Sequence, residues 1–160
     1  MKKQDNNNYS KKEALSILTR ICSKKEICSS EAIQKLGDWG ISESDTKEIR
    51  DYLIKEKFID DLRYATHFAS DKFRFNKWGK YKISYSLKQK HISETIISEA
   101  LENFPEEEYR KFIREELIKK MHSLPKTSNY ELKGKLYRFA MGRGFENNLI
   151  MELLNELLNH

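Results

Sequence analysis

Basic and aromatic side chains are concentrated in one short stretch of the chain, residues 72 to 87, which reads KFRFNKWGKYKISYSL. It contains five Lys or Arg residues, five aromatic residues and no acid, and residues 71 to 90 hold seven cations against one acid, Asp71. Cations at this density can contact phosphate groups or an acidic protein surface. We therefore predict a partner-binding or nucleic-acid-binding site here, with the candidate residues Arg74, Lys77, Trp78, Lys80, Lys82, Lys88 and Lys90.

A simpler interpretation of this stretch is the core and the solvent face of two helices. Helix-core spacing is followed in the first helix by Tyr64, Ala65, Phe68, Ala69 and Phe73, and in the next by Ile83 and Leu87. The cations would then be an ordinary solvated face, and the tryptophan would fill the turn between the helices. If the cations instead contact a partner, reversing three of them should weaken binding and leave stability almost unchanged. The three cations chosen for this expectation are Lys77, Lys80 and Lys82.

A second basic cluster is predicted near the C-terminus. Residues 63 to 143 hold 18 Lys or Arg against 10 acids, whereas residues 1 to 62 are balanced at 12 of each. Lys135 and Arg138 are three residues apart, so they share one face of a helix. This asymmetry favours an anionic partner that contacts the second half of the chain. The candidate residues of the second cluster are Lys133, Lys135, Arg138 and Arg143.

Residue types that perform catalysis do not occur at catalytic spacings. Asp60 and Asp61 could suggest a metal site, but adjacent carboxylates at a turn point apart, and one of them is better explained as the N-cap of a helix. Cys22 and Cys28 have no zinc or redox spacing, and no phosphate-binding glycine loop is present. We therefore expect no catalytic residue, metal or cofactor. The four histidines, to which no chemistry is assigned, are His67, His91, His122 and His160.

The elements that must position the basic clusters are predicted to be nine helices. Two prolines and six glycines interrupt the chain, and the apolar residues recur at helical spacing, which indicates an all-α protein. Ser10 followed by Glu13 predicts a capping box. The other helices are predicted to begin at Ser29 or Ser30, Ser42, Asp60 or Asp61, about Gly79, Ser93, about Glu106, Ser128 and about Glu146. In the third helix, one buried face is predicted to comprise Ile49, Leu53 and Ile54.

These helices form three similar sets. The turn between the second and third helix of each set ends at Ile41, Ile92 and Phe145, which lie 51 and 53 residues apart. Further apolar residues recur eight and twelve positions after each of these anchors. An internal repeat of about fifty residues predicts stacked units in an elongated, curved rod. The predicted division is a disordered tail over residues 1–9 and three-helix repeats over residues 10–59, 60–105 and 106–160.

Three segments of the sequence resemble the RecX family of bacterial recombination regulators. The first two are FIDDLRYATHF (58–68) and WGKYKISYSLKQKHI (78–92), and KLYRFAMGRGFENNLI (135–150) is similar to the Arg-Gly-Phe turn of that family. Two positions depart from the family pattern: His91 stands where glycine is usual, and Ala140 stands where a larger aliphatic residue is usual. The resemblance implies three tandem three-helix repeats that bind the RecA recombinase in the groove of the RecA–DNA filament and down-regulate it without enzymatic activity.

An autonomous DNA-binding protein remains the alternative, because three-helix units can place a helix in a DNA groove and some members of the family touch single- or double-stranded DNA. The RecA regulator and the autonomous DNA-binding protein differ in partner dependence, since DNA binding alone would not require RecA. The chain has no run of 18 apolar residues, and its first residues lack the apolar segment of a signal peptide. We expect a cytoplasmic monomer with no membrane partner.

Overall fold

The computed structural model describes residues 8–159, and within that range the chain forms nine α-helices and no strands. The all-α prediction is confirmed, and the predicted helix starts hold to within about two residues. No helix in this range is long and apolar enough to cross a membrane. The helices are α1 (Lys11–Lys24), α2 (Ser29–Asp38), α3 (Glu43–Lys55), α4 (Asp61–Asn76), α5 (Lys80–Gln89), α6 (Glu94–Glu102), α7 (Glu106–Ser123), α8 (Asn129–Gly142) and α9 (Asn147–Leu158).

Serine caps determine where four of the helices begin. In each case the serine hydroxyl accepts a hydrogen bond from the backbone N–H three residues further on, which satisfies one of the free donors of the first turn. Residues 1–7, most of the predicted tail, lie outside the described range. Tyr9, which was assigned to that tail, packs edge-on against Trp39 with ring centroids 5.5 Å apart. The four capping residues are Ser10, Ser42, Ser93 and Ser128.

The turn between the second and third helix of each set has the same hydrogen-bonding pattern. Gly40, His91 and Gly144 occupy equivalent positions with φ of 76°, 57° and 84°. At each turn the next residue donates its N–H to the carbonyl five residues back, as in a Schellman motif. This identity of backbone geometry explains the repeat seen in the sequence. The three bonds are Ile41 N to Leu36 O at 3.0 Å, Ile92 N to Leu87 O at 3.3 Å, and Phe145 N to Ala140 O at 3.2 Å.

Replacing His91 with glycine should raise the free energy of unfolding by about 0.5–1 kcal/mol, because a side chain is unfavourable in the left-handed region that this turn requires. Chemical denaturation monitored by circular dichroism would measure the change. As a control, Gln89→Gly introduces glycine at the last residue of α5, and it should lower stability by a similar amount. A loss of stability in His91→Gly would contradict this explanation of the turn.

Each set of three helices surrounds a buried cluster, and the close helix-to-helix packing in the described chain occurs within the sets. Cys28, just before α2 of the first set, is buried in the second cluster. The rod of three-helix repeats is thus built from three small cores. One core prediction was wrong: Ile49 and Leu53 are buried in the first core, but Ile54 is 45% exposed because it lies about 100° further around α3. The boundaries 59/60 and 105/106 stay a prediction. One repeat position, eight residues after the apolar anchor of each turn, is buried in all three sets. It is occupied by Ile49, Ala100 and Leu153.

The aspartate pair caps two different helices. Asp60 is the N-cap of α4 and accepts a hydrogen bond from the N–H of Arg63 at 3.0 Å, as predicted for one of the pair. Asp61 instead accepts from the N–H of Ser29, the first residue of α2, at 2.8 Å. Its carboxylate therefore stabilises the N-terminus of a helix in the first set and joins the first set to the second. Helix periodicity could not predict this bond, because it crosses between sets.

Candidate partner-binding surface

The Arg-Gly-Phe turn, residues 143–145, binds the N-terminus of α5 and so joins the second set to the third. Helix α5 has no side-chain cap, and its first N–H groups find their acceptors in the third set instead. Gly79 N–H donates to Arg143 O at 2.7 Å, and Tyr81 N–H donates to Gly144 O at 2.9 Å. The turn therefore has a structural role in both sets, and we call this contact the joint.

Tyr109 completes the joint from α7. Its hydroxyl accepts a hydrogen bond from the N–H of Lys80 at 3.0 Å and donates one to the carboxylate of Glu146. Burial of the ring, together with the bond to Glu146, raises the pKa of the Tyr109 hydroxyl well above its ordinary value. The hydroxyl thus stays protonated and can serve as donor and acceptor at once.

Glycine is required on both sides of the joint because the two backbones touch. A Cβ atom on Gly79 would lie 2.4 Å from the carbonyl oxygen of Gly144. A Cβ atom on Gly144 would lie 2.3 Å from Cβ of Lys82 and 2.5 Å from its backbone nitrogen. Neither position has room for a side chain without separation of the two sets.

Lysines of the first basic cluster lie on aromatic rings around the joint. The ammonium groups of Lys77, Lys80 and Lys82 lie 5.4 Å, 4.7 Å and 4.7 Å from the ring centroids of Phe112, Tyr109 and Trp78. Such cation–π contacts contribute about 0.5–1 kcal/mol each at exposed sites. The expectation that these three lysines could be reversed without loss of stability is therefore withdrawn. Two of the rings, those of Phe112 and Tyr109, belong to α7 of the third set.

Lys88 and Lys90, the remaining lysines of this cluster, have acidic partners. Lys88 is exposed and lies 3.4 Å from Glu94. Lys90 follows the end of α5 rather than lying along it, and its ammonium donates to the carboxylate of Glu31 at 3.0 Å. The hydroxyl of Tyr64 donates to the same oxygen at 3.1 Å. Lys90 therefore joins the first set to the second, and its charge is compensated within the chain.

The contact with Lys90 and Tyr64 lowers the pKa of the Glu31 carboxyl group. Burial by itself raises the pKa of Glu31, but the hydrogen bond and charge of Lys90, with the Tyr64 hydroxyl, lower it more, so the pKa lies below the ordinary value of 4.5. Burial and the nearby Glu31 also raise the pKa of Tyr64 to about 12. Glu31 is thus ionised and bonded to both neighbours at neutral pH.

Lowering the pH should reduce the free energy of unfolding of the protein, in part through protonation of Glu31. Because its folded-state pKa is depressed, ionised Glu31 stabilises the fold above pH 4.5, and this contribution disappears as the pH falls through the lower folded value. The free energy of unfolding of Glu31→Gln should therefore fall less between about pH 6 and pH 3 than that of the wild type. Urea titrations across that range would measure both slopes. Parallel curves for the two proteins would contradict the assignment.

The second basic cluster also contains both cations with partners inside the chain and cations without them. The ammonium of Lys133 donates to the side-chain oxygen of Asn155 at 3.1 Å. The guanidinium of Arg143 lies 4.9 Å from the ring of Phe139 and 3.9 Å from Glu116, a long ion pair. Lys135 and Arg138, by contrast, line an open groove along α8. Their shared face, predicted from their spacing, is thus directed at a groove.

Seven of the predicted cations have no ion pair among residues 8–159, but Lys77, Lys80, Lys82 and Lys133 have a cation–π contact or a hydrogen bond instead. The remaining three have no ion pair, side-chain hydrogen bond or cation–π contact in this range, and we call them the unpaired cations: Arg74, Lys135 and Arg138. Arg74 is exposed and, with Lys77, lines a cavity of about 420 Å³ whose apolar wall includes Phe73, Phe104 and Phe112. Trp78 is half-buried against the second core, with Lys72 and Lys82 over its ring. The clusters thus contain joint residues and a smaller number of unpaired cations, and their role in partner binding stays a prediction.

Large side chains are exposed along α8, and the sequence pattern did not predict this group. Tyr130, the half-buried Tyr137 and Met141 lie at positions i, i+7 and i+11 of α8 and so share a face, about 100° around the helix from the buried Leu136 and Ala140. A search of α8 for large apolar residues outside its core stripe would have found them. The candidate surface therefore contains tyrosines as well as cations.

Taken together, the all-α repeats, the joint and the unpaired cations define a helical-repeat protein whose candidate site is a binding surface. Residues 60–101 match the family model described as RecX, second three-helix domain, and residues 107–154 match RecX, third three-helix domain. The chain belongs to the RecX family.

Relatives named regulatory protein RecX align over most of the chain. The protein of Clostridium acetobutylicum is 32% identical over 160 residues, which are 98% of this chain and 72% of the relative. The protein of Chlorobium phaeobacteroides is 34% identical over 146 residues, which are 91% of this chain and 94% of the relative. The relatives are named as regulators, which fits the expectation of a regulatory protein.

Solved structures share the fold. The crystal structure of RecX from Lactobacillus salivarius superimposes with a TM-score of 0.85 at 20% identity, covering 92% of this chain and 96% of that one. Another crystal structure of regulatory protein RecX gives a TM-score of 0.80 at 21% identity, over 93% of this chain and 72% of that one. The three-helix repeat architecture is therefore shared at low sequence identity.

Proposed function

We propose that this protein is a non-catalytic regulator that binds filaments of the RecA recombinase on DNA and lowers their ATPase, strand-exchange and coprotease activities. It acts as a cytoplasmic monomer in this proposal. The observation that carries it is the match to a relative named regulatory protein RecX over 94% of that relative's length. Family membership thus extends over nearly the whole architecture.

The structure supports a binding role for the second and third sets in particular. The joint ties them together through backbone hydrogen bonds and touching glycines, which gives a continuous surface across two repeats. The unpaired cations also lie in these sets, and their charges are available to an acidic partner because none has an ion pair, a side-chain hydrogen bond or a cation–π contact in the described chain. They are Arg74, Lys135 and Arg138. A surface that spans two repeats can contact neighbouring protomers of a filament at once and so oppose their movement.

Binding to the assembled filament can be tested by co-sedimentation. Cognate RecA is assembled on single-stranded DNA with a non-hydrolysable ATP analogue, and the amount of this protein in the pellet is measured against its concentration. We expect saturable binding that disappears when RecA is omitted. An equal amount in the pellet with sedimentable DNA alone would contradict capture of the filament.

Direct binding to DNA is the second candidate function, favoured by the excess of 18 cations over 10 acids across residues 63 to 143. Contact with phosphates releases counterions, so such binding weakens steeply with salt. Fluorescence anisotropy with labelled DNA at two salt concentrations, with and without RecA, separates the two functions. Affinity that is strong without RecA and falls steeply with salt would favour this candidate.

A further inference from the structure

Large side chains are exposed on one part of the second and third sets. Tyr81 and Tyr85 of α5 are 66% and 65% exposed, Tyr130 of α8 is 89% exposed, and Met141 of α8 is 44% exposed. With the half-buried Tyr137 we call these five residues the tyrosine face. Clustered exposure of large apolar groups is unfavourable in water and marks interaction surfaces.

The tyrosine face lines two open grooves. One groove, of about 510 Å³, lies at the joint and is lined by Tyr81, Tyr85 and Met141. The other, of about 610 Å³, runs along α8 beside Tyr130 and Tyr137. The hydroxyl of Tyr137 donates to the side chain of Asn147 at 2.7 Å, and Asn147 lines the first groove, so this bond lies where the two grooves approach each other.

Glycines give the grooves room for a partner's side chains. Gly134 lines the groove along α8, and Gly142 lines the groove at the joint. No heavy atom lies within 4 Å of the position that a Cβ atom of Gly142 would occupy. Each groove can therefore accept an apolar side chain from a partner against aromatic walls.

The charges that line the grooves are almost all positive. The cations are Lys82 in one groove and Lys133, Lys135 and Arg138 in the other, against a single acid, Glu131. That carboxylate accepts a hydrogen bond from the hydroxyl of Thr127. The complementary partner therefore presents acidic residues around apolar side chains.

We propose that the tyrosine face is the docking site for an acidic protein surface that inserts apolar side chains into the two grooves. Tyrosine, methionine and arginine are enriched at protein interfaces, and methionine adapts its shape to a partner's side chain. Two of the four cations, Lys82 and Lys133, already have partners within the chain, which leaves few charges for the phosphates of a nucleic acid. The chemistry of the face therefore favours protein over nucleic acid.

This inference rests on the proposed function, since the partner to be tested is the RecA filament. The test variant carries Tyr81→Ala, Tyr85→Ala and Tyr130→Ala. Its matched control removes three exposed apolar side chains from the first set, Ile33→Ala, Tyr52→Ala and Ile54→Ala. Affinity for RecA filaments and for bare single-stranded DNA is measured for both variants and for the wild type, with melting temperatures.

We expect the tyrosine variant to bind filaments roughly tenfold to a hundredfold more weakly, at an unchanged melting temperature, because a few buried aromatic anchors dominate interface affinity. The control should bind like the wild type. Equal filament binding by all three proteins would overturn this inference alone, and failure of the wild type to bind would overturn the proposed function with it. A parallel loss of affinity for bare DNA would identify the face as a nucleic-acid site and overturn the protein-docking proposal.

Discussion

Replacement of Gly144 with alanine is expected to lower the free energy of unfolding by about 3 kcal/mol or more. Two effects combine at this position. Its φ of 84° is unfavourable for any residue with a Cβ atom, and that atom would lie 2.5 Å from the backbone nitrogen of Lys82. Backbone cannot rotate away as a flexible side chain can, so the second and third sets must separate. Urea denaturation would measure the loss.

Gly142→Ala provides a matched control two residues earlier. Gly142 is the last residue of α8 and has no heavy atom within 4 Å of its would-be Cβ, so alanine should be neutral there or slightly stabilising. A similar loss of stability in both variants would show that the cost arises from general loss of glycine in the turn. It would contradict a specific contact between Gly144 and α5.

Charge reversal of the three unpaired cations should weaken filament binding by roughly tenfold or more. Arg74, Lys135 and Arg138 have no ion pair in the described part of the chain, so their replacement by glutamate removes no recorded internal salt bridge. Their charges are instead available to an acidic partner, and reversal would turn that attraction into repulsion. Filament co-sedimentation at two salt concentrations, with melting curves, would measure the effect.

The control for this variant reverses Lys12, Lys24 and Lys47, which are exposed in the charge-balanced first third of the chain. It changes the net charge equally and should bind filaments much as the wild type does. Equal weakening by both variants would mean that overall charge alone matters. Unchanged binding by the variant of Arg74, Lys135 and Arg138 would assign these residues to a solvated face.

Local signals in the sequence were sufficient for the helices. Serine is strongly preferred at the N-cap because its hydroxyl can accept from a free N–H of the first turn, and Ser10, Ser42, Ser93 and Ser128 mark helix starts correctly. The recurrence of an apolar anchor after each turn likewise revealed the three sets. These features depend on residues a few positions apart, which one sequence displays directly.

Contacts between sets could not be predicted in this way. The bond from Ser29 to Asp61 and the position of Lys80 over Tyr109 join residues about thirty positions apart, and their geometry depends on how the sets dock. The sequence therefore shows where lysines are concentrated, but it does not show which of them have partners within the chain. The same reason explains why the tyrosines of α5 and α8 could not be assigned to one face, since the two halves of the tyrosine face lie in different sets.

In the proposed function, this protein binds the RecA filament and restrains it. A titration of the DNA-dependent ATPase of cognate RecA on single-stranded DNA tests that claim most directly. ATP turnover should fall as the protein is added, and the protein alone should hydrolyse no ATP. Unchanged turnover at a several-fold excess of the protein over its filament binding sites would contradict the account.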